Sequence, residues 1–162
     1  LSNEAGLYGI LGYDDEEDGD WILALLEQMG VSGIGGKRSS GYGKFHFDDD
    51  PIYMDQDGCY TDDAVLYALL TADDATNYMN LSVLLPQAED IPAVQEGQYT
   101  LCKRSGFLTP EGMTAAKKED IYMIQAGSCF SKKITGQIAD VSLGSLHPVW
   151  RYGKGLYVGL SL

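Results

Sequence analysis

Apolar residues at helical spacing predict a first helix that begins near Trp21 and ends near Met29. They recur at positions i, i+1, i+4, i+5 and i+8, which places them on one face of the helix. Both Trp21 and Met29 are therefore expected in the core. Asp18 or Asp20 is the predicted N-cap, because a short side chain with an oxygen acceptor satisfies free backbone N–H groups. Gly30 follows the apolar run directly and is the predicted C-cap.

A second helix and a series of strands follow further along the chain. This helix is predicted to begin at Thr61 or Asp62 and to run through Leu70, with valine and leucine at helical spacing. Residues 87–97 are predicted to form an acidic loop, and residues 109–118 a polar and mobile one. Short alternating or continuously apolar runs predict strands at residues 7–13, 44–47, 80–85, 99–108, 121–124, 134–141 and 156–160.

The order of these elements predicts the fold class. Alternating strands and helices followed by a run of strands are typical of an α+β sandwich. The predicted arrangement is a ferredoxin-like (RRM-like) sandwich, β-α-β-β-α-β, with a β-rich C-terminal appendage. At 162 residues the chain suits one domain, residues 1–162, and it contains no clear linker. It opens with Leu1 rather than methionine, so a longer subunit with a further N-terminal domain is expected.

The charge of the chain is strongly acidic but unevenly distributed. The net charge is −13, yet residues 100–162 carry 8 basic and 4 acidic side chains. Residues 1–99 carry 20 acidic and 3 basic side chains, and the three basic ones all lie in one glycine-rich segment: Lys37, Arg38 and Lys44. An acidic protein does not attract nucleic acid as a whole. The distribution therefore predicts a local basic footprint, made of this segment and the C-terminal third.

Several other classes of function are disfavoured by the sequence. The three cysteines are far apart and form no metal-ligand spacing or disulfide framework, which favours a reducing cytosol. The acidic run from Asp14 resembles the start of a calcium loop, but its twelfth position is Leu25, where such loops have glutamate. No apolar run approaches the roughly 20 residues of a membrane span. The sequence therefore predicts no metal, no cofactor and no membrane partner.

The segment from Gly30 to Lys44, which we call the glycine loop, reads GVSGIGGKRSSGYGK and carries the most candidate chemistry. Glycine adopts positive φ without strain and lets another backbone approach closely. Exposed N–H groups beside a Lys-Arg pair form a cradle for phosphates. The alternative is a helix-to-strand connection that needs left-handed backbone conformations, and the residues alone leave both interpretations open.

Two familiar glycine motifs do not fit the glycine loop, and a third fits in part. A P-loop requires other residues where Val31 and Arg38 stand, and the dinucleotide fingerprint requires glycine at Arg38. Both motifs also require a strand before the loop, whereas a helix comes first here. Residues 40–47 match the RRM strand motif only at Gly41, Tyr42, Gly43 and Phe47.

Several segments in order along the chain carry a resemblance to a known family. They read GIGGKRSSGYG at residues 33–43, LSVLLP at 81–86, KRSGF at 103–107, DIYMI at 120–124 and HPVWRYGKGLY at 147–157. The first resembles the glycine-rich loop of the RAMP superfamily of CRISPR-associated proteins. Together they resemble the C-terminal domain of the fourth subunit of the type III-A CRISPR Csm interference complex. The resemblance spans nearly the whole chain.

The resemblance implies a fold, partners and a role. The subunit would have two ferredoxin-like domains, of which this chain is the second. It would hold the 5′ tag of the CRISPR RNA and join the large polymerase-like subunit to the first backbone RAMP subunit. The family is not known as a nuclease, so no catalytic residue is expected. A prokaryotic, cytoplasmic protein is implied.

The predicted RNA-binding residues come from two sources. The resemblance implies that Gly33 to Gly43 of the glycine loop contact the RNA backbone, while charge alone adds Lys44 and four cations of the C-terminal third. Tyr42 would stack on a base or pack beneath the loop, and both alternatives stay open. The full set is Gly33, Gly35, Gly36, Lys37, Arg38, Ser39, Ser40, Gly41, Tyr42, Gly43, Lys44, Lys103, Arg104, Arg151 and Lys154.

The cations Arg151 and Lys154 precede a predicted apolar strand, and glycines flank Lys154. This placement suggests a second exposed basic site at the mouth of the strand. We expect one of the two to face the same groove as Lys37 and Arg38, which would make one positive strip. The alternative is that Arg151 pairs with an acidic loop.

Two rival functions remain at this point. The first is a CRISPR RNA-processing endoribonuclease of the RAMP superfamily, whose relatives use histidine for acid–base chemistry. The chain has only His46, which alternates with phenylalanines, and His147, which precedes a proline, so structural roles are expected for both. The second rival is a protein-only scaffold whose acidic face binds partners, a role that is compatible with RNA binding.

Overall fold

The computed structural model combines helices with small antiparallel sheets, which is an α+β arrangement. The chain divides into two compact units, Leu1–Ile52 and Tyr53–Leu162. The assignment of the whole chain to one domain stays a prediction. Apart from the side chains of Ser39 and Leu108, the structure describes residues 6–35, 37–55, 57, 60, 62–108, 116–143 and 147–161.

The first unit is built on one helix, α1 (Glu16–Ser32), which begins earlier than predicted. Asp15 is the N-cap, and its side chain accepts a hydrogen bond from the Glu17 N–H at 2.9 Å. Asp18 and Asp20 lie inside the helix, so neither is the cap. Much of the acidic run from Asp14 is thus the first turn of α1, where negative charge interacts favourably with the helix dipole.

The end of α1 also differs from the prediction. Gly33 is the C-cap, with φ 79°, and its N–H donates to the Met29 carbonyl at 2.7 Å. Gly30 is buried inside the last turns of the helix. A Cβ there would lie 2.5 Å from the Phe45 carbonyl oxygen, so Gly30 serves a close backbone approach instead of ending the helix.

The prediction that Trp21 and Met29 belong to the core is wrong. Their side chains are 67% and 39% exposed. The physical reason is the lack of a covering layer, because residues 7–13 and 44–47, both predicted as strands, form no strand. A ferredoxin-like sandwich would need such strands, and that finer arrangement stays a prediction.

The second unit contains most of the regular structure. The predicted second helix is confirmed as α2, with Asp62 at the N-cap position, while Thr61 lies outside the described residues. Within the described residues the second unit holds a short 3-10 helix (Ala88–Asp90), two α-helices and nine strands. The α-helices and strands are α2 (Asp63–Thr71), β1 (Asn77–Asn80), α3 (Ile91–Gln95), β2 (Leu101–Arg104), β3 (Phe107–Leu108), β4 (Ala116–Lys117), β5 (Ile121–Ile124), β6 (Cys129–Phe130), β7 (Gly136–Asp140), β8 (Trp150–Lys154) and β9 (Tyr157–Leu160).

A three-stranded antiparallel sheet lies at the centre of this unit, with β1 between β6 and β9. The helix α2 packs against β9, where a Cβ on Gly159 would lie only 2.6 Å from the Ala72 Cβ. The missing side chain at this glycine therefore allows the end of the helix to approach the strand closely.

The first strand of this sheet lies earlier than the predicted strand at residues 80–85. The Asn80 side chain ends the strand, since its Oδ1 accepts the Ser82 N–H at 3.2 Å and its Nδ2 donates to the Ser82 carbonyl. Asn80 is fully buried, so these bonds satisfy a polar group that has no access to water.

Leu84 and Leu85, which follow β1 of the three-stranded sheet, bind two further strand pairs. Leu84 pairs with Ile124 of β5, which in turn pairs with β2. The Leu85 N–H donates to the Gly153 carbonyl of β8 at 2.8 Å, and its own carbonyl accepts the Gln137 N–H of β7 at 2.9 Å. The two strand pairs are thereby tied to adjacent residues, β2–β5 to Leu84 and β7–β8 to Leu85.

The remaining strand predictions had mixed outcomes. The strand at residues 121–124 is confirmed as β5, and those at 134–141 and 156–160 correspond to β7 and β9. The predicted strand at residues 99–108 is two strands, β2 and β3, because β3 leaves β5 to pair with β4.

Two predicted loops contain regular structure. Residues 87–97 include α3, which begins with a proline in its first turn, where the missing N–H costs nothing. The Gln87 N–H donates to Asp90 Oδ2 at 2.9 Å just before it. Of the predicted mobile loop at 109–118, residues 109–115 lie outside the described residues, and 116–117 form β4.

The core of the second unit collects side chains from several elements. Tyr157 is 5% exposed and donates from its hydroxyl to the Ile134 carbonyl at 2.9 Å. Burial raises the pKa of Tyr157 to about 12. The largest fully buried side chains of the described residues are Phe130, Leu84, Met123, Ile124, Ile134, Val141 and Asn80.

Candidate nucleic-acid interface

The glycine loop is closed at its base by two backbone hydrogen bonds. The Ile34 N–H donates to the Gly43 carbonyl at 2.9 Å, and the Phe45 N–H donates to the Gly30 carbonyl at 3.2 Å. The chain leaves α1, turns, and returns alongside its own helix end. We call this closed base the neck of the loop.

The glycines at the neck are required by close packing as well as by backbone conformation. Gly43 has φ 81°, and a Cβ there would overlap the Ile34 carbonyl oxygen. A Cβ on Gly33 would lie 3.0 Å from the Tyr42 carbonyl oxygen. Any side chain at Gly43 would therefore push the two sides of the neck apart.

The glycines at the tip have a different role. Gly35 and Gly41 also have positive φ, 91° and 81°, but a Cβ at either would meet no atom within 4 Å. Between them the chain forms a short 3-10 turn, Arg38–Ser40, closed by the Gly41 N–H to the Arg38 carbonyl at 2.9 Å. These two glycines set the turn and leave open space around it. Gly36 lies outside the described residues.

The polar residues of the tip project into this open space. Lys37, Arg38, Ser40 and Lys44 are all exposed. Neither Lys37 nor Arg38 forms an ion pair with any residue that the structure describes. The site thus presents two exposed positive charges on a narrow turn. The side chain of Ser39 lies outside the described part of the chain.

Tyr42 lies where the tip meets the neck, and its ring is 67% exposed. Its N–H donates to the Lys37 carbonyl at 3.3 Å, so its backbone belongs to the turn while most of its side chain faces solvent. The ring is available for stacking on a planar group.

Lys103 and Arg104 lie on β2, in the second unit. Lys103 Nζ is 2.8 Å from Asp120 Oδ2, and Lys117 binds the same oxygen at 2.9 Å. The hydrogen bond to Asp120 raises the pKa of Lys103, and the bonds from Lys103 and Lys117 lower the pKa of Asp120. The charge of Lys103 is therefore partly engaged within the protein, whereas Arg104 is exposed.

Arg151 and Lys154 precede β9, as predicted, but they also lie inside a strand that was not predicted, β8. Because side chains alternate along a strand, the two belong to opposite faces of β8. Lys154 is exposed, whereas Arg151 is half-buried and its Nε has no hydrogen-bond partner in the described part of the chain. The positive strip shared with Lys37 and Arg38 stays a prediction.

The face of β8 that carries Lys154 also carries two aromatic residues that are not among the predicted site residues. Trp150 and Tyr152 are 65% and 62% exposed. Together with Ile138 of β7 they line a shallow apolar groove. The signal was present in the sequence as the alternation W-R-Y-G-K, which identifies one strand face once the strand is recognised.

The two histidines lie in separate settings. His46 Nε2 is 3.0 Å from Asp48 Oδ1, and both side chains are more than 80% exposed. His147 Nδ1 lies 3.2 Å from the Pro148 carbonyl oxygen. Among the described residues, no group of three or more histidine, cysteine, aspartate or glutamate side chains is arranged to hold a metal ion. The helices of the described residues are too short or too polar to cross a membrane.

Comparison with known proteins identifies the family. The family profile of the CRISPR Csm4 C-terminal domain matches residues 73–160. A CRISPR system Cms protein Csm4 of Mycobacterium tuberculosis is 35% identical over 160 residues, covering 97% of this chain and 48% of that protein. The same-named protein of Streptococcus thermophilus is 34% identical over 165 residues, covering 100% of this chain and 50% of that protein. The chain belongs to the Csm4 family.

The family assignment confirms the resemblance read from the sequence. The chain spans about half the length of the Csm4 relatives that it matches. The region matched by the Csm4 profile contains β2 and β8 with their cations, whereas the glycine loop precedes it. The glycine loop is covered by the similarity to the two Csm4 proteins, which extends over nearly the whole chain.

Proposed function

We propose that the chain is a non-catalytic, RNA-binding part of a type III-A Csm complex and that its glycine loop holds the 5′ tag of the CRISPR RNA. The observation that carries this proposal is the exposed cation pair Lys37 and Arg38 on a turn whose base is closed by the Ile34–Gly43 hydrogen bond. Family membership supports the complex, and the loop geometry supports the RNA contact.

The chemistry of the tip suits an RNA backbone. Cations and exposed hydroxyls are common partners of phosphate oxygens, and such contacts position the chain without reading its sequence. Open space at Gly35 and Gly41 lets a backbone approach within hydrogen-bond distance. The exposed ring of Tyr42 adds a stacking surface for one unpaired base, worth about 1–3 kcal/mol.

The same proposal includes partners and place. A Csm4 subunit would join the large polymerase-like subunit to the first backbone RAMP subunit, in the cytoplasm of a prokaryote. The acidic first 99 residues supply charge for protein contacts, and the cations of the glycine loop are confined within them. The two-domain, ferredoxin-like architecture of the family is the corresponding proposal for the fold.

The decisive experiment removes the charge of the tip and measures the salt dependence of RNA binding. The full-length subunit carrying Lys37→Ala and Arg38→Ala is assembled with the other Csm subunits, and retention of CRISPR RNA is measured over a salt series. Loss of two phosphate contacts to a single strand lowers the slope of log affinity against log salt by about 1.4. Unchanged retention and slope would remove the glycine loop from the RNA site.

The matched control is the double variant Lys132→Ala and Lys133→Ala. It also removes two adjacent positive charges, but Lys133 Nζ is bound to Asp73 Oδ1 at 2.7 Å and neither residue belongs to the predicted site. This variant is expected to keep the wild-type slope. An equal loss in both double variants would show that total charge, and not the loop, governs binding.

The non-catalytic part of the proposal has its own test. Labelled CRISPR repeat RNA is incubated with the full-length protein and with the His46→Ala, His147→Ala double variant. We expect no specific cleavage by either, since His46 is paired only with an exposed carboxylate in the described residues. Specific cleavage by the wild type that disappears in the variant would favour the alternative function, a CRISPR RNA-processing endoribonuclease.

A further inference from the structure

The exposed aromatic face of the β7–β8 pair has no role in the function proposed above. Trp150 and Tyr152 are two residues apart on β8 and therefore lie on the same face. Both are more than 60% exposed in the part of the chain that the structure describes. Ile138 of β7 lies directly opposite Tyr152 and completes the shallow groove.

The spacing of these rings fits planar ligands. Residues i and i+2 of a strand lie about 6.6–6.8 Å apart, which leaves room for one base on each ring or one between them. Sheets that display aromatic side chains in this way stack two or three unpaired RNA bases. The arrangement thus provides the apolar half of a binding site for single-stranded nucleic acid.

Lys154 provides the charged half. It follows Tyr152 at the next position on the same face and is exposed. Its carbonyl is used in the fold, accepting the Ser82 hydroxyl at 3.1 Å, so the strand end that carries this cation is anchored. A cation in line with two stacking rings meets the phosphate that connects stacked bases.

The carboxylate of Asp140 lies on the same face, where a free negative charge would repel an RNA backbone. Asp140 is opposite Trp150 in the register of the pair. Its Oδ1 accepts the Ser142 N–H and the Val149 N–H, each at 2.9 Å, and these bonds lower the pKa of Asp140. The carboxylate is thus directed at the backbone of the β7–β8 connection, where it closes the hairpin.

We propose that Trp150 and Tyr152 stack on unpaired bases of an RNA strand whose backbone is bound by Lys154. The proposal rests on the RNA-binding function above and adds a second contact surface, separate from the glycine loop. Charge favours RNA over a protein as the occupant, because residues 100–162 carry a net charge of +4 within an acidic chain. An RNA strand is a polyanion with exposed planar groups, and the face offers the complement of both.

The test uses the assembled complex with CRISPR RNA that carries photoreactive iodouridine at one position at a time. Cross-linked peptides are identified by mass spectrometry, and affinity for the RNA is measured for Trp150→Ala and Tyr152→Ala, singly and together. We expect cross-links to Trp150 or Tyr152 at unpaired positions. Each lost stack should weaken binding about 5-fold to 100-fold, with an unchanged salt slope because no charge is removed.

Two kinds of control separate stacking from misfolding. The variants Trp150→Phe and Tyr152→Phe keep an aromatic ring and should retain most of the affinity. Phe107→Ala removes another exposed ring, 68% exposed on β3, and should have no effect. Affinity that falls equally in the phenylalanine variants, or in Phe107→Ala, would contradict stacking at this face.

Two further results would overturn the inference. Unchanged RNA affinity in the double alanine variant, with no cross-link, would show that the face does not bind RNA. Unchanged RNA affinity with loss of a neighbouring subunit would identify a protein interface instead. The two proposals fail separately: Lys37→Ala with Arg38→Ala tests the glycine loop through the salt slope, and the aromatic variants test this face at constant slope.

Discussion

The neck of the glycine loop predicts that two chemically identical substitutions have unequal effects. Gly43→Ala and Gly35→Ala each place a Cβ on a residue with positive φ, 81° and 91°. At Gly35 the new methyl group meets nothing, whereas at Gly43 it overlaps the Ile34 carbonyl oxygen. Only the second substitution should open the loop.

The magnitudes follow from the geometry. A non-glycine residue in the left-handed region costs about 1–2 kcal/mol, and both variants share this cost. At Gly43 the overlap is relieved only when the two sides of the neck separate, which breaks the Ile34 N–H to Gly43 carbonyl bond of 2.9 Å. Loss of that bond adds about 0.5–1.5 kcal/mol. We therefore expect Gly43→Ala to destabilise the neck by about 1 kcal/mol more than Gly35→Ala.

Hydrogen exchange measures this difference directly. In the full-length protein within its complex, exchange of the Ile34 and Phe45 amides should be faster in Gly43→Ala than in Gly35→Ala, by about 5-fold. Retention of CRISPR RNA should fall in the same order, because an open neck no longer presents Lys37 and Arg38 on one turn. Equal protection of the Ile34 amide in both variants would refute the assignment of Gly43 to a packed neck.

Three further predictions concern the second unit. Because burial raises the pKa of Tyr157 to about 12, the unfolded chain loses this proton first, and the free energy of unfolding should fall as the pH rises from about 10 to 12. Tyr157→Phe should abolish this decrease in the free energy of unfolding and lower that free energy by about 1 kcal/mol at neutral pH. Urea unfolding at several pH values measures both effects. An identical decrease at alkaline pH in the variant would contradict the raised pKa of Tyr157. The hydrogen bonds from Lys103 and then Lys117 lower the pKa of Asp120. The ionised Asp120 therefore stabilises the fold above the unfolded pKa of about 4, and this stabilisation is lost as the pH falls through the lower pKa of the folded state. Asp120→Asn should weaken the dependence of the melting temperature on pH in acid, and an unaltered dependence would argue against the ion pair. Gly153→Ala should lower the melting temperature, because its Cβ would lie 2.5 Å from the Leu85 Cβ and overpacking costs about 1–3 kcal/mol; a melting temperature within error of the wild type would show that this contact relaxes freely.

The elements that could be predicted from the sequence are those whose pattern of apolar residues is decisive by itself. The helix α2 and the strand β5 each carry an uninterrupted apolar signal of the right length. The family segments at residues 103–107 and 147–157 fall on β2 to β3 and β8 to β9. In these regions the neighbours along the chain decide the local structure, so the sequence alone is enough.

Tertiary contacts decided the rest. The strand predicted at residues 80–85 ends instead at Asn80, because a buried amide bonds to the backbone of Ser82. Apolar periodicity placed Trp21 in the core, but burial also needs a covering layer, and residues 7–13 and 44–47, which the structure describes, form no strand to supply it. Neither effect can be inferred from the spacing of apolar residues.

The candidate site shows the same division. The sequence identified the glycines and cations of the loop as candidate binding residues. It did not separate the roles of the neck and the tip, because these depend on distances across the loop. Gly43 and Gly35 look alike in the sequence and differ only in what surrounds them. The faces of β8 likewise became distinct only when Arg151 and Lys154 were found within one strand.

The connection through Leu84 and Leu85 has a mechanical consequence. Each of the two strand pairs that carry the predicted cations of the second unit is hydrogen-bonded to one of these adjacent residues, β2–β5 through Leu84 and β7–β8 through Leu85. Fraying of one strand pair should therefore loosen the anchor of the other, and we expect the two to open as one cooperative unit. We therefore expect a ligand bound on β8 to slow amide hydrogen exchange in the β2–β5 pair as well, which would couple the face of β8 to Lys103 and Arg104.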